Sequence, residues 1–266
     1  MNIAGYFFAI VIGLVMGLIG GGGSILSVPV FAYLFNIDAL TATTLSLFVV
    51  GVTSTVGSVG YIRQRHVCFR TALLFGLPSI AGILFSRRLV LPHLPAYIIN
   101  RWGITITQEM FILILFAILM LISAFKMIKK IDRQGLRKSE DINYTLLISQ
   151  GLLVGIVTGF IGAGGGFLIV PALVMLLGIP MKQAVGTSLL IIAINSSVGF
   201  ISSLDRTIID WPFLLFFTGL SVFGILIGVK VAKRIAGPKL RPMFGWLVLA
   251  MGIWMIINEL LIKQIS

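Results

Sequence analysis

The chain has 266 residues, 58% hydrophobic and 11% charged, with a mean hydropathy of +1.12. A soluble domain is about 45–50% apolar and about 25% charged, so this composition excludes a free soluble globule, a disordered chain, a collagen and a coiled coil. It indicates a polytopic, all-α protein of the lipid bilayer. One Cys leaves no disulfide framework or Cys-based metal site, two His exclude a poly-imidazole centre, and a net charge of +12 in short loops beside apolar spans faces anionic lipid, not nucleic acid.

Residues 1–5 lack a basic n-region, so the first apolar run, 3–19, reads as retained structure and not as a signal peptide. It ends in Gly20-Gly21-Gly22-Gly23-Ser24, and a short run, 25–35, follows. Residues 39–62 form a long run, closed by a basic loop with Arg63, Arg65 and Arg70. The next run covers 71–85 and continues towards Leu91. Residues 92–103, with Pro92, Pro95 and Trp102, read as a loop. Residues 110–125 make a span, and the polar segment 126–141, with six Lys and Arg, reads as a central cytoplasmic loop. The second half runs 144–161, Gly162-Ala163-Gly164-Gly165-Gly166, a short 167–177, 184–204, 211–227 towards Ala236, and 243–262.

The halves repeat. At a shift of 142 residues Gly13, Gly17 and Gly20 meet Gly155, Gly159 and Gly162, and Val28-Pro29 meets Val170-Pro171. In the same register Ser46, Ser54 and Gly57 meet Ser188, Ser196 and Gly199. Apolar drift would not align glycines, prolines and serines in one register, so the pattern reads as a duplication. Further on, Phe111 matches Phe244 at a shift of 133, which puts nine extra residues near the Pro-rich loop of the first half. The expected organisation is a first transmembrane repeat over 1–125, a basic cytoplasmic linker over 126–143 and a second repeat over 144–266.

Each short run has 11 residues, about 16 Å of helix, half of a hydrocarbon core of about 30 Å. Two arrangements follow: each half crosses four times, or each half has a re-entrant hairpin plus three crossings. The first divides the Lys and Arg residues 11 to 9 between the sides, the second 15 to 5. Only the second is a positive-inside signature. It predicts inverted repeats, with both termini outside.

The two glycine clusters then lie at hairpin tips near the midplane, where irregular backbone is tolerated only if it is buried or lines a cavity. Each leads into a half-helix whose N-terminus offers free N–H groups to an anion. Gly20, Gly21, Gly22, Gly23 and Ser24, with Gly162, Ala163, Gly164, Gly165 and Gly166, are therefore candidate ligand-lining positions. The Gly13-x-x-x-Gly17 and Gly155-x-x-x-Gly159 faces read instead as helix packing. Neither cluster carries the Lys-Ser/Thr of a P-loop or the setting of a dinucleotide fingerprint. Polar positions in the following long helices add candidates: Ser46 and Ser54 in the first, Thr187, Ser188 and Asn195 in its mate, whose hydroxyls and amide can bond anion oxygens. No ionisable residue falls mid-span, so no carboxylate proton relay is visible, and Arg63, Arg65, Arg87 and Arg88 read as topology anchors.

At these residues the chain resembles the sulfite exporter TauE/SafE family. The similarity is carried by Gly17-Leu-Ile-Gly-Gly-Gly-Gly-Ser24 leading to Val28-Pro29, by Gly159-Phe-Ile-Gly-Ala-Gly-Gly-Gly-Phe167 leading to Val170-Pro171, and by Ala184-Val-Gly-Thr-Ser-Leu189. The resemblance implies transport of a small sulfur-containing anion (sulfite, thiosulfate or an organosulfonate) across the cytoplasmic membrane of a bacterium. The first copy departs from the second, with Thr43-Thr44-Leu45-Ser46 where the second has Val185-Gly186-Thr187-Ser188. The expected mechanism is secondary transport by alternating access, with no cofactor and no catalytic residues. An anion channel, or a transporter of another small organic anion, is the alternative. The coupling ion, H⁺ or Na⁺, and the formation of a homo-oligomer stay open.

Overall fold

The computed structural model describes residues 3–93, 97–101, 104–128, 144–161, 164–176, 178–235 and 237–258. The first half contains α1 (Ile3–Ile19), α2 (Gly22–Pro29), α3 (Ala39–Arg63), α4 (Phe69–Leu84) and α5 (Gln108–Ile128). The second contains α6 (Tyr144–Ile161), α7 (Gly166–Leu176), α8 (Met181–Ile201), α9 (Trp211–Arg234) and α10 (Gly237–Ile257). A π-helical segment, Val30–Leu34, extends α2 directly after Pro29, whose missing N–H breaks the regular ladder. A second, Phe85–Val90, carries α4 on, so that residues 69–93 form one apolar helical rod.

Local chemistry sets the boundaries. Asp38 caps α3 by accepting the Thr41 N–H at 2.8 Å, and Asp210 caps α9 by accepting that of Phe213 at 3.2 Å. α1 stops at Gly20, which takes φ +80°, a conformation open to glycine. The chain then doubles back. α2 and its π extension return along α1 until Phe35 lies against Gly5 and its ring meets Tyr6 at 5.8 Å.

α3 and α8 form the antiparallel centre of the bundle, with Leu47 beside Gly199 and Gly51 beside Ser196. α1 runs parallel to α9, and α4 parallel to α6. α5 pairs with α10, and α2 meets α7. Every one of these pairings maps onto another, or onto itself, when the halves are exchanged. The α1–α9 contact is glycine on glycine: a Cβ at Gly13 would strike the Ser221 carbonyl, and one at Gly228 the Leu14 carbonyl. Gly155 and Gly82 do the same for α4 and α6. In lipid, apolar burial does not drive helices together, so such close backbone packing must. The sequence pattern anticipates the α1 and α6 faces; Gly224-x-x-x-Gly228 on α9 is their unanticipated counterpart.

Exposure is inverted relative to a soluble protein. Leu73, Leu77, Phe216 and Phe223 point outward, while Ser46, Thr53, Ser54, Ser79, Ser188, Asn195 and Ser196 are fully buried. Among the described residues, four helical rods are long and apolar enough to cross a membrane. The fold is that of an all-α polytopic membrane protein, as composition predicts.

One feature differs. Where a loop was expected around residues 92–103, Tyr97–Arg101 (β1) and Ile104–Thr107 (β2) pair as an antiparallel ribbon between α4 and α5. Isoleucine and threonine alternate through Ile-Thr-Ile-Thr, a period of two that the nearby prolines mask. The ribbon occupies the place of the nine-residue insertion.

Candidate functional site

The glycine tips converge. A Cβ on Gly21 would overlap the backbone of Gly166, and one on Gly166 would overlap Gly21, so the two hairpins touch through bare main chain. Gly164 and Gly165 take φ of +65° and +71°, as Gly20 does with +80°. These left-handed residues turn the chain into the short helices, and the Gly165 carbonyl accepts the N–H groups of Leu168 and Ile169 at the start of α7. Gly23 packs against the α1 backbone at Ile12 and Met16.

Hydroxyls line the tips. A Cβ at Gly20 would lie 2.7 Å from Ser188 Oγ, and one at Gly164 would lie 2.5 Å from Ser196 Oγ. Thr158 Oγ1 occupies the corresponding space at Gly165. Ser188 Oγ donates to the Val185 carbonyl at 2.9 Å, but Ser196 Oγ and Thr158 Oγ1 are buried with no partner among the described residues. So is Ser54 Oγ, which stands in α3 where Ser196 stands in α8. Buried polar atoms are paired in about nine cases of ten or more, so three bare hydroxyls on the helices around the tips are a functional signal. Asn195 Nδ2 donates to Ser79 Oγ at 2.7 Å, and its Oδ1 is the fourth unpartnered atom of this group.

The remaining candidates fall in different places. Ser46 Oγ pairs with Ser27 Oγ at 2.5 Å, on the first hairpin's return helix. Gly22 and Ser24 belong to the first turn of α2. Gly162, Ala163 and linker positions 129–143 lie outside the described residues. Thr187 is committed elsewhere: its Oγ1 accepts the Cys68 N–H at 3.0 Å. Beside it, Gly186 packs against the His66 carbonyl with no room for a Cβ. The loop between α3 and α4 is thereby clasped onto the first turns of α8.

The opposite end is not clasped in this way. There a cavity of about 340 Å³ is lined by Asp38, Thr44, Arg87, Ser203 and Thr207, among others. Arg87 is only 4% exposed, whereas Arg88 is exposed. This corrects the reading of Arg87 as a topology anchor. Its Nε donates to the Gly159 carbonyl at 3.0 Å, and its Nη1 donates to Ser203 Oγ at 2.5 Å and to Thr44 Oγ1 at 3.4 Å. In the other half the Gly17 carbonyl, register mate of Gly159, accepts the Tyr61 hydroxyl at 2.8 Å. Both carbonyls sit in the last turn of the helix that precedes a glycine tip, so each hairpin is held at the same point by a different side chain. Neither Arg87 nor Tyr61 stands out in the sequence by type. The signal that finds Arg87 is helical phase, because Phe75, Ser79, Gly82, Ile83, Ser86 and Arg87 fall on one buried stripe.

Chemically the tips offer hydroxyls, an amide and main-chain N–H groups. Among the described residues no group of three His, Cys, Asp or Glu could hold a metal ion. The model of the sulfite exporter TauE/SafE family matches residues 6–255, nearly the whole chain. The chain belongs to this family. A protein of Xylella fastidiosa strain Temecula1, named a probable membrane transporter protein, is 29% identical over 256 residues, covering 92% of this chain and 91% of that one. Another, the probable membrane transporter protein YunE of Bacillus subtilis, is 26% identical, covering 86% of this chain and 89% of its own. YdhB of the same organism is 27% identical, with coverages of 82% and 85%. No solved structure matches this TauE/SafE chain.

Proposed function

We propose that the protein is a secondary transporter that moves a small sulfur-containing oxyanion, such as sulfite, thiosulfate or an organosulfonate, across the cytoplasmic membrane by alternating access. The observation that carries this reading is the set of unpartnered buried hydroxyls, Ser54, Ser196 and Thr158, on the helices that surround two touching glycine tips. Donors of this kind complete the shell of an anion with several acceptor oxygens. The half-helices α2 and α7 add the positive ends of their dipoles. The site is proposed to comprise Gly20 to Ser24 and Gly162 to Gly166, with Ser46, Ser54, Ser188 and Asn195 from the long helices, to which Thr158 is added; Thr187, whose hydroxyl accepts the Cys68 N–H, stands outside it.

The two repeats, 1–125 and 144–266, are read as inverted, each opening with a re-entrant hairpin, and 126–143 as the cytoplasmic linker. The exchange symmetry of the helix pairings supports this, as does the return of Phe35 to Gly5. A cavity at one end and a clasped loop at the other favour a carrier over an open channel. The test is flux of radiolabelled sulfite, thiosulfate, sulfate and methanesulfonate into proteoliposomes, with and without a pH or Na⁺ gradient. Saturable movement of at least one sulfur anion is expected. Movement of none, or chemical conversion of the anion in place of movement, would overturn the proposal.

A further inference from the structure

We infer that Arg87, with Thr44 and Ser203, forms a separate anion-capture site in the cavity at the Asp38 end, taking small oxyanions that carry at least two acceptor oxygens on one face. A guanidinium has five N–H donors in a planar fork. In Arg87 the Nε and Nη1 donors are engaged by Gly159, Ser203 and Thr44, all neutral acceptors. Nη2 is buried with no partner among the described residues, although the side chain lines the cavity. Among the described residues no carboxylate pairs with it. A buried cation without a counter-charge is costly, and chains keep one only where something repays it. An oxyanion does so by accepting from Nη2, while the hydroxyls of Thr44 and Ser203, which donate to the Leu40 and Gly199 carbonyls at 3.0 and 2.9 Å, exchange those bonds for its remaining oxygens; planar, bidentate recognition is what favours Arg over Lys for such ligands.

Among the described residues that line the cavity the one acid, Asp38, is exposed at the rim and turned to its own helix, where it accepts the Thr41 N–H. The position is also specific to one half. The register mate of Arg87 is Val229, that of Thr44 is Gly186 and that of Ser203 is Tyr61. The capture site is thus an asymmetric addition to the duplicated scaffold, distinct from the glycine tips. It rests on the proposed transport only for the identity of its physiological anion.

The experiment uses the full chain with Cys68→Ser and Thr207→Cys, in detergent. Thr207 lines the cavity and its hydroxyl donates to the Ser203 carbonyl at 3.3 Å. The new thiol is reacted with an anionic sulfonate-bearing methanethiosulfonate and with its cationic trimethylammonium counterpart. With Arg87 present the anionic reagent is expected to be favoured, and Arg87→Gln to lower the anionic-to-cationic rate ratio by about tenfold, the low end of local electrostatic rate effects. Arg87→Lys should retain part of the preference. Millimolar sulfate should slow the anionic reagent more than sodium chloride of equal ionic strength. That measurement keeps Arg87, so it decides the matter if Arg87→Gln does not purify as a monodisperse species. An unchanged ratio, or equal effects of sulfate and chloride, would overturn the site. Absence of sulfur-anion flux alongside a normal Arg87-dependent ratio would instead overturn the transport reading and leave the site standing.

Discussion

Replacing Ser196 by Ala separates a ligand-binding hydroxyl from a structural one. Ser196 Oγ is buried beside Gly164 without a partner among the described residues. An unpaired buried hydroxyl costs about 1–3 kcal/mol, so its removal should leave the anion-free protein as stable as before, or more stable by up to that amount. The same oxygen, donating to a charged acceptor, would contribute about 1.5–3 kcal/mol to anion binding, a loss of about 10- to 150-fold in affinity at 1.4 kcal/mol per decade. Stability and affinity should therefore move in opposite directions. The control lies one residue away: Ser197 Oγ already donates to the Ala193 carbonyl at 2.8 Å on the exposed side of α8, and Ser197→Ala should change neither quantity appreciably. Thermal unfolding of the purified proteins, alone and over a sulfite titration, reads both. A Ser196→Ala protein that is destabilised without anion, or that binds sulfite as tightly as the parent, would refute the reasoning.

The topology should be readable by labelling: cysteines at Ile208, which is 99% exposed, and at Arg65 are expected to react with impermeant reagents from opposite sides of the membrane. Reaction of both from one side would contradict the odd number of crossings in each half. The clasp of the α3–α4 loop on α8 is expected to loosen in Thr187→Val, which deletes the acceptor for the Cys68 N–H. A net hydrogen bond of about 0.5–1.5 kcal/mol corresponds to about 2- to 12-fold faster modification of Cys68, the chain's single cysteine. An unchanged rate would show that the Thr187 bond does not hold the loop.

What the sequence discloses follows the chemistry of its least replaceable residues. The hairpin tips are legible because runs of glycine have no bland explanation, and Gly20, Gly164 and Gly165 do take left-handed conformations. The packing role of Gly13, Gly17, Gly155 and Gly159 is legible from four-residue spacing and appears as main-chain contact. Burial of a polar side chain is harder to read. Arg87 and Arg88 are neighbours of one type, and the turn of a single helical residue separates a buried cation from an exposed one. Only the phase of the whole α4 stripe distinguishes them. Thr187 illustrates a different limit. Its place beside Ser188 suggests a share in the same site, but its hydroxyl meets a loop more than a hundred residues away in the chain, a pairing that no local pattern encodes. The β1–β2 ribbon is hidden because the prolines on its flank outweigh the four alternating residues of Ile104–Thr107.

The contact between Gly21 and Gly166 also has a mechanical meaning. Most helix contacts interlock, and sliding one past another requires side chains to leave their rotamer wells. Two bare backbones present no such teeth. What resists their relative motion is a handful of dispersion contacts, each about 0.1–0.2 kcal/mol, and no rotamer has to be crossed. The interlocking surfaces lie farther out, where aromatic rings such as Phe31 and Phe217 mesh at 4.7 Å. The molecule therefore has a smooth bearing where the glycine tips of its two halves meet, and a shear there would be among the less resisted displacements the fold permits.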